Sequence, residues 1–162
     1  MAWTLLLAAG QGNRLASATG GLAKQFLDWK GAPLYWESAL VFSRCARVEG
    51  LVFVFPEACI DEERERVAGL MRNASLGIPW KVVAGGALRQ DSVRNGLSAL
   101  PDDCMEVLIH DAARPFVSPV LVNRILDGLH GEASGECVAA CIPGIPVVDT
   151  IKVMDEEKKV VA

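Results

Sequence analysis

The chain has 162 residues, 16 Lys+Arg against 20 Asp+Glu, a net charge of −4 and 51% hydrophobic residues. That length supports one domain with a proper core rather than two, and the apolar content argues against disorder. The acidic balance lacks the basic face of a nucleic-acid binder, and no apolar run approaches the ~20 residues of a membrane span.

In chain order, short apolar runs alternate with helix-like segments. The first run is 3–9, after which Pro33 stands where a first-turn proline opens a helix to about residue 45. The run 51–55 precedes Ile60, Val67, Leu70 and Met71 at helical spacing, and the run 80–84 precedes Val93, Leu97 and Leu100. After the run 107–109, Ser118 and Pro119 read as cap and first residue of a helix carrying Leu121, Ile125, Leu126 and Leu129. A fifth run covers 137–142. Runs that are apolar throughout, rather than alternating, are parallel strands covered on both faces. The predicted fold class is α/β, a three-layer Rossmann-like sandwich with a mainly parallel sheet, over residues 1–142. Beyond Pro143-Gly144-Ile145-Pro146, the stretch 147–154, the acidic turn Asp155-Glu156-Glu157 and residues 158–162 predict a β-hairpin arm over 143–162 that projects from the sheet.

Cys45, Cys59, Cys104, Cys137 and Cys141 are odd in number, lie in or beside apolar stretches and form no Cys-x-x-Cys. They read as reduced thiols of a cytosolic core, and His110 and His130 do not complete a zinc set. The apolar start has no preceding positive charge and runs straight into a glycine pattern, so it reads as a strand rather than a signal peptide. A cytoplasmic protein without a membrane segment is expected.

Ligands of open α/β sheets bind at the carboxyl ends of the strands, and the unusual residues collect there. The first run leads into Ala8-Ala9-Gly10-Gln11-Gly12-Asn13-Arg14, the third into Gly85-Gly86-Ala87-Leu88-Arg89-Gln90-Asp91-Ser92, and the fourth into His110-Asp111-Ala112-Ala113-Arg114-Pro115. The fifth leads to the hairpin with Asp149, Thr150 and Lys152. Gly10 and Gly12 let backbone N–H groups approach an anion. Leu15 excludes both a P-loop and a dinucleotide fingerprint, each of which needs another residue there. Arg14 and Lys24 on the same glycine- and serine-rich loop suit a polyphosphate, neutralising charge that develops at phosphorus. Plainer roles also fit these residues: solvated cations at Arg14 and Lys24, a local ion pair between Asp111 and Arg114, a packed His110, and Arg89, Asp91 and Ser92 serving a helix start. No nucleophile triad stands out, which favours positioning and electrostatics over covalent catalysis.

These stretches, with Lys24-Gln25-Phe26, Gly85-Gly86-Ala87-Leu88-Arg89-Gln90-Asp91-Ser92-Val93, His110-Asp111-Ala112-Ala113-Arg114-Pro115 and Asp149-Thr150-Ile151-Lys152 in order, resemble the 2-C-methyl-D-erythritol 4-phosphate cytidylyltransferase family of the non-mevalonate isoprenoid pathway. The resemblance implies attack of the acceptor phosphate on the α-phosphorus of CTP, with pyrophosphate leaving and Mg²⁺ on the triphosphate. It implies that Arg14 and Lys24 stabilise the transition state and that the backbone of Ala8, Ala9, Gly10 and Gly12 wraps the phosphates. Gly86 and Ser92 match positions at the cytosine end, Asp111 one between nucleotide and acceptor, and Arg114 and Thr150 positions on the acceptor side. The protein ligands of the metal stay open, with Asp111 the one candidate carboxylate beside it. The family's arm swaps over a partner, which implies a homodimer through 143–162.

The sequence departs from the pattern at Ala23, where the family usually has Pro, and in a longer stretch from Arg14 to Lys24. The family continues past the hairpin with an arginine for the partner's acceptor and a C-terminal strand and helices carrying another lysine, and its two-enzyme fusions begin with this domain. Residues 1–162 therefore read as a C-terminally truncated chain, expected to bind CTP weakly with little turnover. Ala113, where ribitol 5-phosphate cytidylyltransferases tend to have Val, favours methylerythritol phosphate over ribitol 5-phosphate as acceptor. An inactive nucleotide-binding fragment and a dehydrogenase compete with the transferase, and Leu15 disfavours the dehydrogenase.

Overall fold

The computed structural model describes residues 1–10, 21–131, 135, 138–146, 152–153, 155–157 and 159. The chain divides into two compact units, Met1–Arg124 and Ile125–Ala162. In chain order the elements are β1 (Ala2–Leu7), β2 (Asp28–Trp29), β3 (Ala32–Pro33), α1 (Tyr35–Ser43), β4 (Val48–Phe55), α2 (Ile60–Asn73), β5 (Trp80–Ala84), α3 (Arg89–Leu97), β6 (Glu106–Asp111) and α4 (Pro119–Leu129). No helix among the described residues is long and apolar enough to cross a membrane.

β5, β4, β1 and β6 lie in that order in a sheet whose three pairings are all parallel. Each parallel step requires a crossover, and α1, α2 and α3 supply them. β1 and β4 are buried almost throughout, which explains their largely apolar sequence. On one face Trp3, Leu5, Val52 and Val54 form a cluster. α3 approaches it through Gly96, where a Cβ would stand 3.0 Å from Leu5 and 3.2 Å from Val54. On the other face Tyr35 of α1 meets Phe53 and Phe55, with ring centroids at 6.1 and 5.0 Å. The Tyr35 hydroxyl donates to buried Glu63 of α2 at 2.7 Å, and Arg66 closes on the other Glu63 oxygen at 3.0 Å. Ser118 caps α4 by accepting from Leu121 N–H at 3.2 Å, and Val122 and Leu126 are its buried residues.

Two expectations change. Pro33 lies in β3 rather than in a helix, and α1 begins at Tyr35. Lys30 and Gly31, both at positive φ, form a two-residue turn that folds Ala32 and Pro33 back on Asp28 and Trp29. Leu34 N–H then donates to Leu27 O at 2.9 Å, so the chain stays extended through the proline. The expected fifth strand, 137–142, is the second correction. Residue 137 lies outside the described residues, and 138–142 form no strand. Val138 N–H donates to Leu129 O at 3.1 Å, and Ile142 is exposed. Val138 and Ile142 are the segment's only β-branched residues, Ala139 and Ala140 offer a pleat little to pack, and Pro143 and Pro146 bring no N–H. Half of the expected hairpin arm, 147–151, 154, 158 and 160–162, lies outside the described residues. At its tip, Asp155 N–H donates to Lys159 O at 2.9 Å and Lys159 N–H to Asp155 Oδ1 at 2.8 Å, a closed turn.

Candidate functional site

The strand order places a topological switch between β1 and β6. From β1 the chain steps outward to β4 and β5, then returns past β1 to β6. The chain leaves β1 towards one side of the sheet and adds β6 on the other, the kind of reversal at whose carboxyl ends open α/β sheets bind their ligands. Ala112 N–H donates to Leu7 O at 3.0 Å, so the loops after β1 and β6 start side by side.

The loop after β1 begins as an extension of the sheet, with Ala8 N–H on Val54 O at 2.8 Å. Its carbonyls then turn to a distant side chain. Gln25 Nε2 donates to Ala8 O at 2.7 Å and to Gly10 O at 2.6 Å. Gln25 is buried in a 3₁₀ turn, Lys24–Phe26. Lys24 beside it is exposed, and Phe26 packs on Tyr35 and Phe55 at 6.2 and 6.0 Å between ring centroids.

The loop after β5 packs directly on the first. Gly85 N–H donates to Phe55 O at 2.7 Å, and a Cβ on Gly85 would overlap Ala9 Cβ and crowd Ser92 Oγ. A Cβ on Gly86 would overlap Asp91. Only glycine permits these approaches. Ser92 Oγ, at a buried residue, accepts from Gly86 N–H at 3.0 Å and donates to Leu88 O at 3.3 Å. Asp91 caps α3 by accepting from Leu88 N–H at 3.1 Å. The helix-start reading of Asp91 and Ser92 is therefore correct for these atoms, and their bonds hold the loop at Gly86 and Leu88.

The loop after β6 carries the charges. Asp111 Oδ1 accepts from Arg89 Nε at 3.2 Å and Nη2 at 3.0 Å, and Arg114 Nε stands 3.4 Å from Oδ2. The expected local pair with Arg114 is present, and Arg89, read as a mere helix-start residue, joins it from α3. These groups are 38–79% exposed, so each pair is worth under ~1 kcal/mol and a ligand can replace it. His110 lies beneath. Its Nε2 is 3.0 Å from Arg114 O and 3.1 Å from Ser38 Oγ, while Ser38 Oγ–H donates to Arg114 O at 3.3 Å. A carbonyl only accepts, so Nε2 carries the proton. Burial holds the His110 pKa below its ordinary value despite that hydrogen bond and nearby Asp111. The packed-histidine reading holds for His110.

Ala8, Ala9, Gly10, Gly86 and Ser92 thus share one rim with Asp111 and Arg114, and Gln25 ties the Lys24 turn to that rim. Gly12, Arg14 and Thr150 lie outside the described residues. Sequence reasoning gave no site role to Gln25, Arg89 or Ser38. Gln25 stood next to Lys24 and Arg89 shared a motif with Ser92, whereas Ser38, in α1 and 72 residues from His110, carried no signal. Among the described residues no group of three His, Cys, Asp or Glu side chains could hold a metal ion. A lone exposed carboxylate, Asp111, does fit Mg²⁺ carried mainly by phosphate and water ligands.

The family model described as 2-C-methyl-D-erythritol 4-phosphate cytidylyltransferase (IspD) matches residues 2–162. The chain is 52% identical to the "Bifunctional enzyme IspD/IspF" of Oleidesulfovibrio alaskensis over 95% of its own length and 37% of that protein's. It is 33% identical to the 2-C-methyl-D-erythritol 4-phosphate cytidylyltransferase of Clostridium botulinum, covering 94% of this chain and 61% of that one. The solved structure of 4-diphosphocytidyl-2C-methyl-D-erythritol synthase from Anaerococcus prevotii superposes with a TM-score of 0.72 over 99% of this chain and 63% of that one, at 19% identity, a likeness of fold. The chain spans little more than a third of the length of the bifunctional relatives.

Proposed function

The chain belongs to the 2-C-methyl-D-erythritol 4-phosphate cytidylyltransferase family, and on that premise we propose that it transfers CMP from CTP to 2-C-methyl-D-erythritol 4-phosphate in isoprenoid precursor biosynthesis. An acceptor phosphate oxygen attacks the α-phosphorus, a new P–O bond forms, the bond to the β-phosphate breaks, and pyrophosphate leaves with the electron pair. The observation that carries this reading is the meeting, at one sheet switch point, of the loop from β1, the Lys24 turn tied to it by Gln25, and the Asp111 cluster.

Each part has a task in such a transfer. The backbone of Ala8, Ala9, Gly10 and Gly12 lies along the triphosphate, and Lys24 with Arg14 offsets charge as the α-phosphorus becomes crowded. Gly86 and Ser92 serve the cytosine end. Asp111 stands between nucleotide and acceptor, with Arg114 and Thr150 on the acceptor side. Asp111 is the protein group that would hold Mg²⁺, which supplies charge neutralisation on the triphosphate when bound. Arg89 and Arg114 already hold Asp111 loosely, so the entering substrates exchange partners with exposed ion pairs rather than break buried ones. Dimerisation through the arm at 143–162 and a cytoplasmic location belong to the same reading. Pyrophosphate release by the complete natural protein, with CTP and methylerythritol phosphate beside ribitol 5-phosphate and the other NTPs, tests it. Activity only with ribitol 5-phosphate would overturn the acceptor, and activity with none would overturn the transfer.

A further inference from the structure

The turn Lys24–Phe26 sends three consecutive side chains to three destinations. Phe26 anchors against Tyr35 and Phe55 on the sheet, Lys24 is exposed, and Gln25 reaches back 17 and 15 residues to Ala8 O and Gly10 O. Both acceptors are carbonyls, so only the amide NH₂ can face them, and both its protons are engaged. Gln25 is 4% exposed, so a ligand does not reach it directly. Its bonds at 2.7 and 2.6 Å couple the lysine-bearing turn to the backbone of the first loop across a stretch that those bonds close.

We propose that Gln25 is a positioning residue, holding Lys24 in fixed relation to the phosphate-facing backbone of Ala8 and Gly10. The inference rests on the transfer reading and adds a residue to it. Phe26 and the Leu34–Leu27 bond hold the turn from its C-terminal side, whereas the amide adds two fixed points on the first loop itself. The loop and the lysine then meet the triphosphate as one unit, with little reorganisation left for the reaction.

The test is a double-mutant cycle in the complete natural protein, reading kcat and the KM for CTP. Gln25→Met keeps the side chain's length and removes both donors. It is expected to lower kcat by ~10–100-fold, the scale of a misplacement of about an ångström, with a folded melting profile. In a Lys24→Ala background the same change is expected to lower kcat less than about threefold, because no ammonium remains to be misplaced. Gln25→Glu, the second variant should Gln25→Met fold poorly, sets a carboxylate against two carbonyl oxygens. Relative to wild type its kcat is expected to rise from pH 8 to pH 6, as protonation restores one donor. Equal losses in both backgrounds, or a pH-independent deficit, would make Gln25 a purely structural residue and overturn the proposal. Gln25→Met within about threefold of an active wild type would overturn it and leave the transfer reading intact. A wild type with no turnover would remove both.

Discussion

Replacing Tyr35 by Phe tests the packing that underlies the site. Tyr35 is fully buried, and its hydroxyl donates at 2.7 Å to Glu63, which is itself 3% exposed. Burial first, then the hydrogen bond and the charge of Glu63, push the phenol well above its ordinary value, so it remains a proton donor at any working pH. Tyr35→Phe keeps the ring that packs with Phe26, Phe53 and Phe55 and removes a single oxygen atom. What is lost is one hydrogen bond to a buried carboxylate, worth roughly 1.5–3 kcal/mol. Arg66 still holds the other oxygen at 3.0 Å, which keeps the loss within that range. For a chain of this size the melting temperature should fall by ~4–10 °C. Urea and thermal unfolding of wild type and variant measure it. Adding Glu63→Met, which removes the stranded carboxylate, should recover part of the loss, since apolar replacement of both partners is close to neutral. A Tyr35→Phe change below ~0.5 kcal/mol, in the range of ordinary surface substitutions, would refute the assignment of Glu63 as a buried acceptor dependent on Tyr35.

Lys24→Ala, and separately Arg14→Ala, should each lower kcat by ~10²–10³ in the complete natural protein, the scale for one transition-state donor; losses below threefold in both would sink their catalytic roles. Thr4 is fully buried and its hydroxyl has no partner among the described residues, so Thr4→Val should raise stability by ~1 kcal/mol in urea unfolding. His110 has a pKa below its ordinary value of ~6.5, so the unfolded chain protonates first and stability falls as pH drops from there towards the lowered folded value. Urea midpoints of wild type and His110→Gln between pH 7.5 and 5 should show a steeper decline for wild type, and parallel declines would contradict it.

The parallel sheet was legible because burial on both faces leaves a periodicity-free apolar run, as in 51–55, and helix-spaced residues separate it from the half-buried edge strand 80–84. The rim was legible because Gly85, Gly86, Asp111 and Arg114 fall where strands end. The same rule misjudged 137–142, since composition marks a segment as apolar without saying whether a neighbour waits to pair with it. Pro33 misled for a related reason. Its fixed φ serves a first helical turn or an extended edge equally well, and the Lys30-Gly31 turn decided between them.

By itself the sequence determined which loops carry the chemistry, because glycine freedom, charge and strand ends are local properties of the chain. Tertiary structure alone decided the partnerships. Gln25 reaches Ala8 and Gly10, Arg89 crosses from α3 to Asp111, and Ser38 with His110 holds the Arg114 carbonyl. The bonds of Gln25, Arg89 and Ser38 join residues 15–76 apart in the chain. No residue type or spacing encodes such a meeting; it exists because the order β5-β4-β1-β6 brings the ends of β1 and β6 together.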